Sequence, residues 1–331
     1  MALSPSSPPG SPAQRVPVAQ DPLAVLLPPG AQGPPVPEPG DDTDGQSSDY
    51  GEDDYDSYSI TSSILDYQYE NGRRYASGRY LMLMGGELYI APLVHPQRVL
   101  DLGTGTGSWA IDFADNHPEA TVLGNDLSPI QPSWVPPNVE FLVDDVESDW
   151  LDKPNTYDFI HSRGMAGCVA DWHRLYRQAY RHLKPGGYFE LQESAVWAWS
   201  DDGSLRPDSP LGEYLRALDD AGQKIGRDLN ITHKLSPWLT AHGFEDVHEE
   251  TYILPFSPWP RDARLKEIGK VQAVMVQDAV EAYGLRLCTQ VLGWSSDRFR
   301  IMQALVRQQL KDPDVHAYTK IVAAYGRKPR R

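Results

Sequence analysis

Val99-Leu-Asp-Leu-Gly-Thr-Gly-Thr-Gly107 decides the fold of this chain. An apolar strand runs directly into three glycines at alternate positions, and Asp101 stands two residues before the first of them. A turn of this kind lets a ligand lie against bare backbone, because no Cβ intervenes. The next segment, Ser108–Ala114, reads as a helix with Trp109, Ile111, Phe113 and Ala114 as its packing residues. Strand, glycine turn and helix together form the opening unit of a nucleotide-binding α/β sheet.

Two kinds of cofactor suit such a turn. A dinucleotide pyrophosphate requires a third glycine in the spacing G-x-G-x-x-G, under the positive end of a helix. Here Ser108 occupies that third position, and Asp101 would repel a phosphate. S-adenosylmethionine carries no phosphate but two cations, a sulfonium and an ammonium, which a nearby carboxylate suits. The following strands agree with the second cofactor. Ala120–Asn125 reads as a strand ended by Asp126, 19 residues beyond Gly107. A doubly wound sheet places an acid there to accept from the ribose hydroxyls. Val139–Val143 reads as a third strand ending in Asp144 and Asp145. A carboxylate at that point can take the adenine amino group, and the backbone N–H of Val146 can meet a ring nitrogen. The expected cofactor residues are therefore Asp101, Gly103, Thr104, Gly105, Gly107, Asp126, Leu127, Asp144, Asp145 and Val146.

Farther along, Tyr157–His161 is strand-like, and Trp172, Leu175, Tyr176, Ala179, Tyr180 and Leu183 share one face of a helix. Pro185-Gly186-Gly187 stops that helix, and Tyr188–Leu191 begins a fifth strand. Alternating strands and helices specify a parallel, doubly wound sheet. Beyond Ser200 the pattern loosens. Leu211–Ile225 and Lys234–His242 read as helices, Glu245–Leu254 as a strand, Arg264–Tyr283 and Ser296–Leu310 as helices, and Tyr318–Tyr325 as a last strand.

The runs Leu100–Gly107, Asp126-Leu-Ser-Pro-Ile-Gln-Pro132, Trp134-Val-Pro-Pro-Asn138, Asp144-Asp145-Val-Glu147 and Leu183-Lys-Pro-Gly-Gly187 resemble the LaeA-type methyltransferases. This is a fungal family of class I, S-adenosylmethionine-dependent enzymes tied to secondary metabolism. The likeness extends from Tyr69-Glu-Asn-Gly-Arg-Arg-Tyr75 to Tyr325-Gly-Arg-Lys-Pro329. The glycine turn is common to all class I methyltransferases, whereas the Asp126–Pro132 run is far more specific. The resemblance implies an antiparallel last strand, with the preceding helical insertion, residues 258–312, covering the acceptor pocket. It also implies that Arg73, Arg74 and Tyr75 close over the cofactor. One departure stands out. The family continues from its Gly-Arg-Arg-Tyr segment into a polar helix with a Pro-Asn-Asp-Glu signature, a candidate lid. Here Tyr80 passes directly to Leu81-Met-Leu-Met-Gly-Gly-Glu87.

Methyl transfer from a sulfonium needs little beyond holding donor and acceptor in line, because the leaving group is already good. A general base is required only where the acceptor must lose a proton. His161 and Arg163, read as lying just after the fourth strand, are the candidate catalytic residues. His161 would act as a base or wall the pocket, and Arg163 would bind an acidic acceptor, bind the cofactor carboxylate or form a surface ion pair.

Composition sets the outer limits. The 331 residues carry a net charge of −16, of which −9 falls in residues 1–56, a proline-rich and then acidic stretch without periodicity. Such a stretch cannot bury enough apolar area to offset its ordering entropy, so residues 1–57 read as a disordered tail and 58–331 as the methyltransferase domain. Two cysteines exclude a disulfide framework and suit a reducing compartment. The nine histidines are scattered without ligand spacing, which predicts no metal. There is no membrane-length apolar run and no basic stripe for nucleic acid. The expectation is an intracellular protein, cytoplasmic or nuclear. Its acceptor would be a small metabolite or a protein, and a regulator of metabolite gene clusters working through protein partners is the competing reading.

Overall fold

The computed structural model describes residues 74–331, with side chains from Gly78 onward. The tail expected over residues 1–57, and Arg73, lie outside the described residues. Arg74 and Tyr75 open the first helix, but their side chains are not among those described.

Seven strands form one sheet: β1 Arg98–Leu102, β2 Thr121–Asp126, β3 Val139–Val143, β4 Tyr157–Arg163, β5 Leu183–Ser194, β6 Glu245–Pro255 and β7 Tyr318–Arg327. Their spatial order is β3-β2-β1-β4-β5-β7-β6. The first five are parallel, and β7 inserts antiparallel between β5 and β6. The order reverses at β1, where the chain moves first outward to β2 and β3 and then across to β4. An open sheet of this kind binds ligands in the crevice beyond the strand ends at that switch point.

Alternation along the strands assigns the two faces. Val99 and Phe159 pack with Trp109, Phe113 and Val122 on the side of α2, Ser108–Asn116. Leu100 and Ile160 pack with Trp172, Tyr176 and Phe189 on the side of α3, Trp172–His182. On α2 the buried residues are Trp109, Ala110, Phe113 and Ala114, so Ala110 takes the place expected for Ile111. On α3 the expected face is buried except for Tyr180, which is half-buried, and Asp171 caps the helix by accepting from the Arg174 amide. β5 starts at Leu183, directly after α3, so Pro185-Gly186-Gly187 lies within the strand and not before it. Leu183 already pairs with Tyr157 at the start of β4, which extends the ladder back to the helix end.

A second layer covers the carboxyl end of β5. It comprises α4 (Pro210–Lys224), α6 (Ala263–Arg286) and α7 (Ser296–Leu310), while α5 (Leu235–Ala241) packs against β6 and β7 at the sheet edge. The first helix, α1 (Arg74–Leu83), runs without a break through the Tyr80–Leu81 junction. Tyr80 and Leu83 bury with Leu254, Ile268 and Ile321, and the Arg264 guanidinium donates to the carbonyl of Met82 at 2.7 Å. A cation at a helix C-terminus complements its exposed carbonyls. α1 is thus clamped onto α6 and β6.

Two buried carboxylates on β5 tie distant loops to the sheet. Glu190 accepts from the backbone N–H groups of Ile90 and Ala91, which belong to the segment after α1. Glu193 accepts from Met165 and Ala166, in the loop after β4. Burial pushes their pKa values up to about 7 and about 8, against the lowering effect of those N–H donors. The folded state therefore holds protons that the unfolded chain has released, and stability falls as pH rises from about 5 to about 8. Urea midpoints measured across that window should decline. Glu193→Gln, which cannot ionise, should flatten the upper part of the slope, whereas an unchanged slope would show that Glu193 does not titrate there.

Candidate cofactor cleft and acceptor pocket

Gly103, Gly105 and Gly107 all take left-handed backbone, with φ of 63°, 59° and 78°. Their surroundings differ. A Cβ on Gly105 would meet open space, one on Gly103 would strike Met165 Sδ at 2.1 Å, and one on Gly107 would strike the Phe141 ring at 2.2 Å. Only Gly105 presents the open backbone expected of all three glycines. Gly107 is buried as the residue before α2, where its φ and the contact with Phe141 leave no room for a side chain.

Asp101 lies under the turn and is 3% exposed. Its Oδ2 accepts from the Thr104 hydroxyl at 2.6 Å and its Oδ1 from His161 Nδ1 at 2.7 Å. Buried with these partners, the Asp101 carboxylate and the Thr104 hydroxyl shape the turn from beneath. The Thr104 amide adds a bond to the Asn125 carbonyl at 2.8 Å, which joins the turn to β2.

Asp126 ends β2 and is half-buried. Its oxygens accept from the amides of Gly105 at 2.8 Å and Ser128 at 2.9 Å. A carboxylate has about four lone-pair sites, so about two remain for a ligand diol. Leu127 beside it is 57% exposed, an apolar side chain at the cleft edge. Gln131 Nε2 donates to the carbonyls of Gly105 and Ser128, closing the two turns on each other. At the end of β3, the Asp144 amide donates to the Asp126 carbonyl, and Asp145 Oδ1 accepts from the Glu147 amide. Both acids are half-buried at the same strand edge as Asp126. Val146 packs its side chain into the core with Leu100 and Ile160, so only its backbone is left for a ligand. Trp134 is 89% exposed, whereas Trp150 packs on the core and donates from Nε1 to the Val146 carbonyl.

His161 and Arg163 belong to β4 and do not follow it. His161 is fully buried opposite Asp101 and stacks on Trp109, with centroids 3.8 Å apart and planes 4° from parallel. Desolvation lowers its pKa more than Asp101 raises it, which keeps the ring neutral. An acceptor has no access to this imidazole, and its position suits a structural strut instead of a base. Arg163 is half-buried and sits 5.1 Å over the Tyr80 ring, facing α1. Met165, absent from the sequence reading, lies over Gly103 and is fixed through its amide by Glu193. The local signal for Glu193 is the polar run Gln192-Glu193-Ser194 at the end of β5.

Past the end of β5 the structure opens into a pocket of about 680 Å³, its mouth included. Arg79 of α1 and Ser194 stand together in its lining, Leu211, Tyr214 and Leu218 of α4 form one wall, and Gln272, Val276 and Tyr283 of α6 another. The largely apolar lining with a few polar groups is that of a small-molecule site. The insertion contributes through α6, and α4, which precedes β6, contributes as much.

The family model described as a methyltransferase domain matches residues 69–249. Methyltransferase pytC of Aspergillus terreus is 40% identical over 295 residues, covering 82% of this chain and 91% of that protein. The secondary metabolism regulator LAE1 of Cochliobolus heterostrophus is 38% identical, with 74% and 82% covered. The probable methyltransferase tdiE of Emericella nidulans is 33% identical, with 75% and 78% covered. With the glycine turn at the switch point, the strand-end acids and the antiparallel β7, these matches establish that the chain belongs to the methyltransferase-domain family, as a class I, S-adenosylmethionine-dependent methyltransferase of the LaeA-like group.

Proposed function

We propose that this methyltransferase acts on a small metabolite in fungal secondary metabolism. The observation that carries the reading is the apolar pocket at the end of β5, enclosed by α4 and α6. It is a concave, largely apolar site, whereas a peptide needs an extended groove or an exposed strand edge. The 40% likeness to methyltransferase pytC supports the same direction.

The cleft residues fit the cofactor. Gly105 leaves the open space that a nucleoside would occupy, Asp126 has acceptor capacity for the ribose hydroxyls, and Leu127 offers an apolar surface. Asp144, Asp145 and the backbone of Val146 are assigned to the adenine end, and Met165 with Gly103 to the methionine end. S-adenosylmethionine supplies an electrophilic methyl group when bound. The chain's own residues fix the cleft and pocket relative to one another, which serves an in-line transfer by orientation. Arg74 and Tyr75 remain assigned to closing the cleft.

The 38% likeness to LAE1, a secondary metabolism regulator, favours a second reading, in which the chain controls metabolite gene clusters through protein partners. Deleting the gene separates the two. A tailoring enzyme should leave one metabolite short of a single methyl by mass spectrometry, and a regulator should alter transcripts of many clusters. No helix among the described residues is long and apolar enough to cross a membrane.

Calorimetric titration tests the cofactor site. Asp126→Ala should weaken S-adenosylmethionine and S-adenosylhomocysteine binding by about 1.5–3 kcal/mol, the worth of hydrogen bonds to a charged group. Gly105→Val should abolish binding, since it fills the open space and forces a β-branched residue to φ 59°. Equal affinity in wild type and Asp126→Ala would remove that residue from the site.

A further inference from the structure

The pocket beyond β5 contains two polar groups that its own walls leave unsatisfied. Gln272 on α6 is 5% exposed, lines the pocket, and its Oε1 has no hydrogen-bond partner among the described residues. Arg79 on α1 also lines it, with a buried Nε that has no partner, and no carboxylate among the described residues pairs with its guanidinium. Its guanidinium carbon instead lies 5.5 Å over the neighbouring Tyr80 ring. A buried polar group left unmade costs about 1–3 kcal/mol, more when charged, so such groups persist where something else completes them. Both are set in a lining that is otherwise largely apolar: Val196, Trp197, Leu215, Phe256 and Val280 contribute to it.

Arg79 sits where α1 meets the ends of β4 and β5. Tyr80, the next residue, meets Arg163 at the carboxyl end of β4, and Ser194, which shares the pocket lining with Arg79, ends β5. The glycine turn is anchored to the same β4 through Asp101 and His161. Arg79 is thus linked, through Tyr80 and Arg163, to the strand that anchors the glycine turn.

Resting on the small-molecule reading above, we infer that the methyl acceptor is an apolar, ring-sized molecule with one acidic oxygen function, a carboxylate or an ionised enol or phenol, bound by Arg79, and with a second polar group that donates to Gln272 Oε1. Arg79 is then a specificity-determining residue for an O-methyl transfer. An oxygen lone pair of the bound anion forms the new O–C bond while the S–C bond electrons remain on sulfur. The anion and the sulfonium cation become a neutral methyl ester or ether and neutral S-adenosylhomocysteine. No proton moves in that step, which agrees with the burial of His161 away from any acceptor. A guanidinium suits this task because it stays charged and offers a planar set of donors to an oxyanion.

Binding measurements on the full chain test this. S-adenosylhomocysteine is titrated first, and the complex is then titrated with 2-naphthoate and with its neutral isostere 2-acetylnaphthalene, following heat and Trp fluorescence. The acid should bind at least about tenfold more tightly than the ketone. Arg79→Met should erase that margin while leaving the ketone within about threefold of wild type, and Arg79→Lys should restore part of it. Gln272→Met, which keeps length and removes the carbonyl, should weaken 6-hydroxy-2-naphthoate more than 2-naphthoate. Acid and ketone binding alike, no saturable binding of the acid, or an acid preference that survives Arg79→Met would each overturn the inference. Failure to bind S-adenosylhomocysteine would instead overturn the cofactor reading, so the two failures are distinguishable.

Discussion

The Asp101 carboxylate, bonded on one side to the Thr104 hydroxyl and on the other to His161, is the contact on which the rest of the cleft depends. It joins the glycine turn after β1 to the middle of β4, the strand that leads to the acceptor side. All three partners are buried, where hydrogen bonds are strong and an unpaired member is costly. Stacking of His161 on Trp109 extends the same contact to α2. The left-handed backbone at Gly103 and Gly105 is thereby held from below, and its upper side remains open at Gly105.

β5 provides the second constraint. Glu190 faces one side of the sheet and Glu193 the other, and each uses a buried carboxylate to gather backbone amides from a loop remote in sequence. Loops carry function when a rigid element positions them. Through these two residues a single strand holds the segment entering from α1 and the loop after β4 that brings Met165 over Gly103. Cleft and pocket consequently share one scaffold, which suits the in-line transfer proposed between them.

The helical layer is positioned by apolar packing and by hydrogen bonds between its helices, such as that of the Tyr214 hydroxyl to the Val280 carbonyl. α1, α4 and α6 come from distant parts of the chain and meet over the end of β5, where Arg264 fastens α6 to the carbonyl end of α1. Tyr80 and Leu83 bury against Leu254 and Ile268, which seats α1 beside the pocket that Arg79 lines.

What the sequence determined by itself is local. The strand, glycine turn and helix from Val99 to Asn116, the acids that close β2 and β3, and the apolar face of α3 all follow from residue types at short spacing, and they suffice for a doubly wound sheet with its crevice at the switch point. Only the tertiary structure decided which of those residues face the crevice. Strand neighbours point to opposite faces, and a side chain's partners come from other elements, so the pairing of Asp101 with His161 across β1 and β4 has no local signature. For the same reason Phe141 under Gly107, Met165 over Gly103 and the meeting of Arg79 with Gln272 could not be read from spacing: each is a contact between segments far apart in the chain, fixed by sheet register and helix packing.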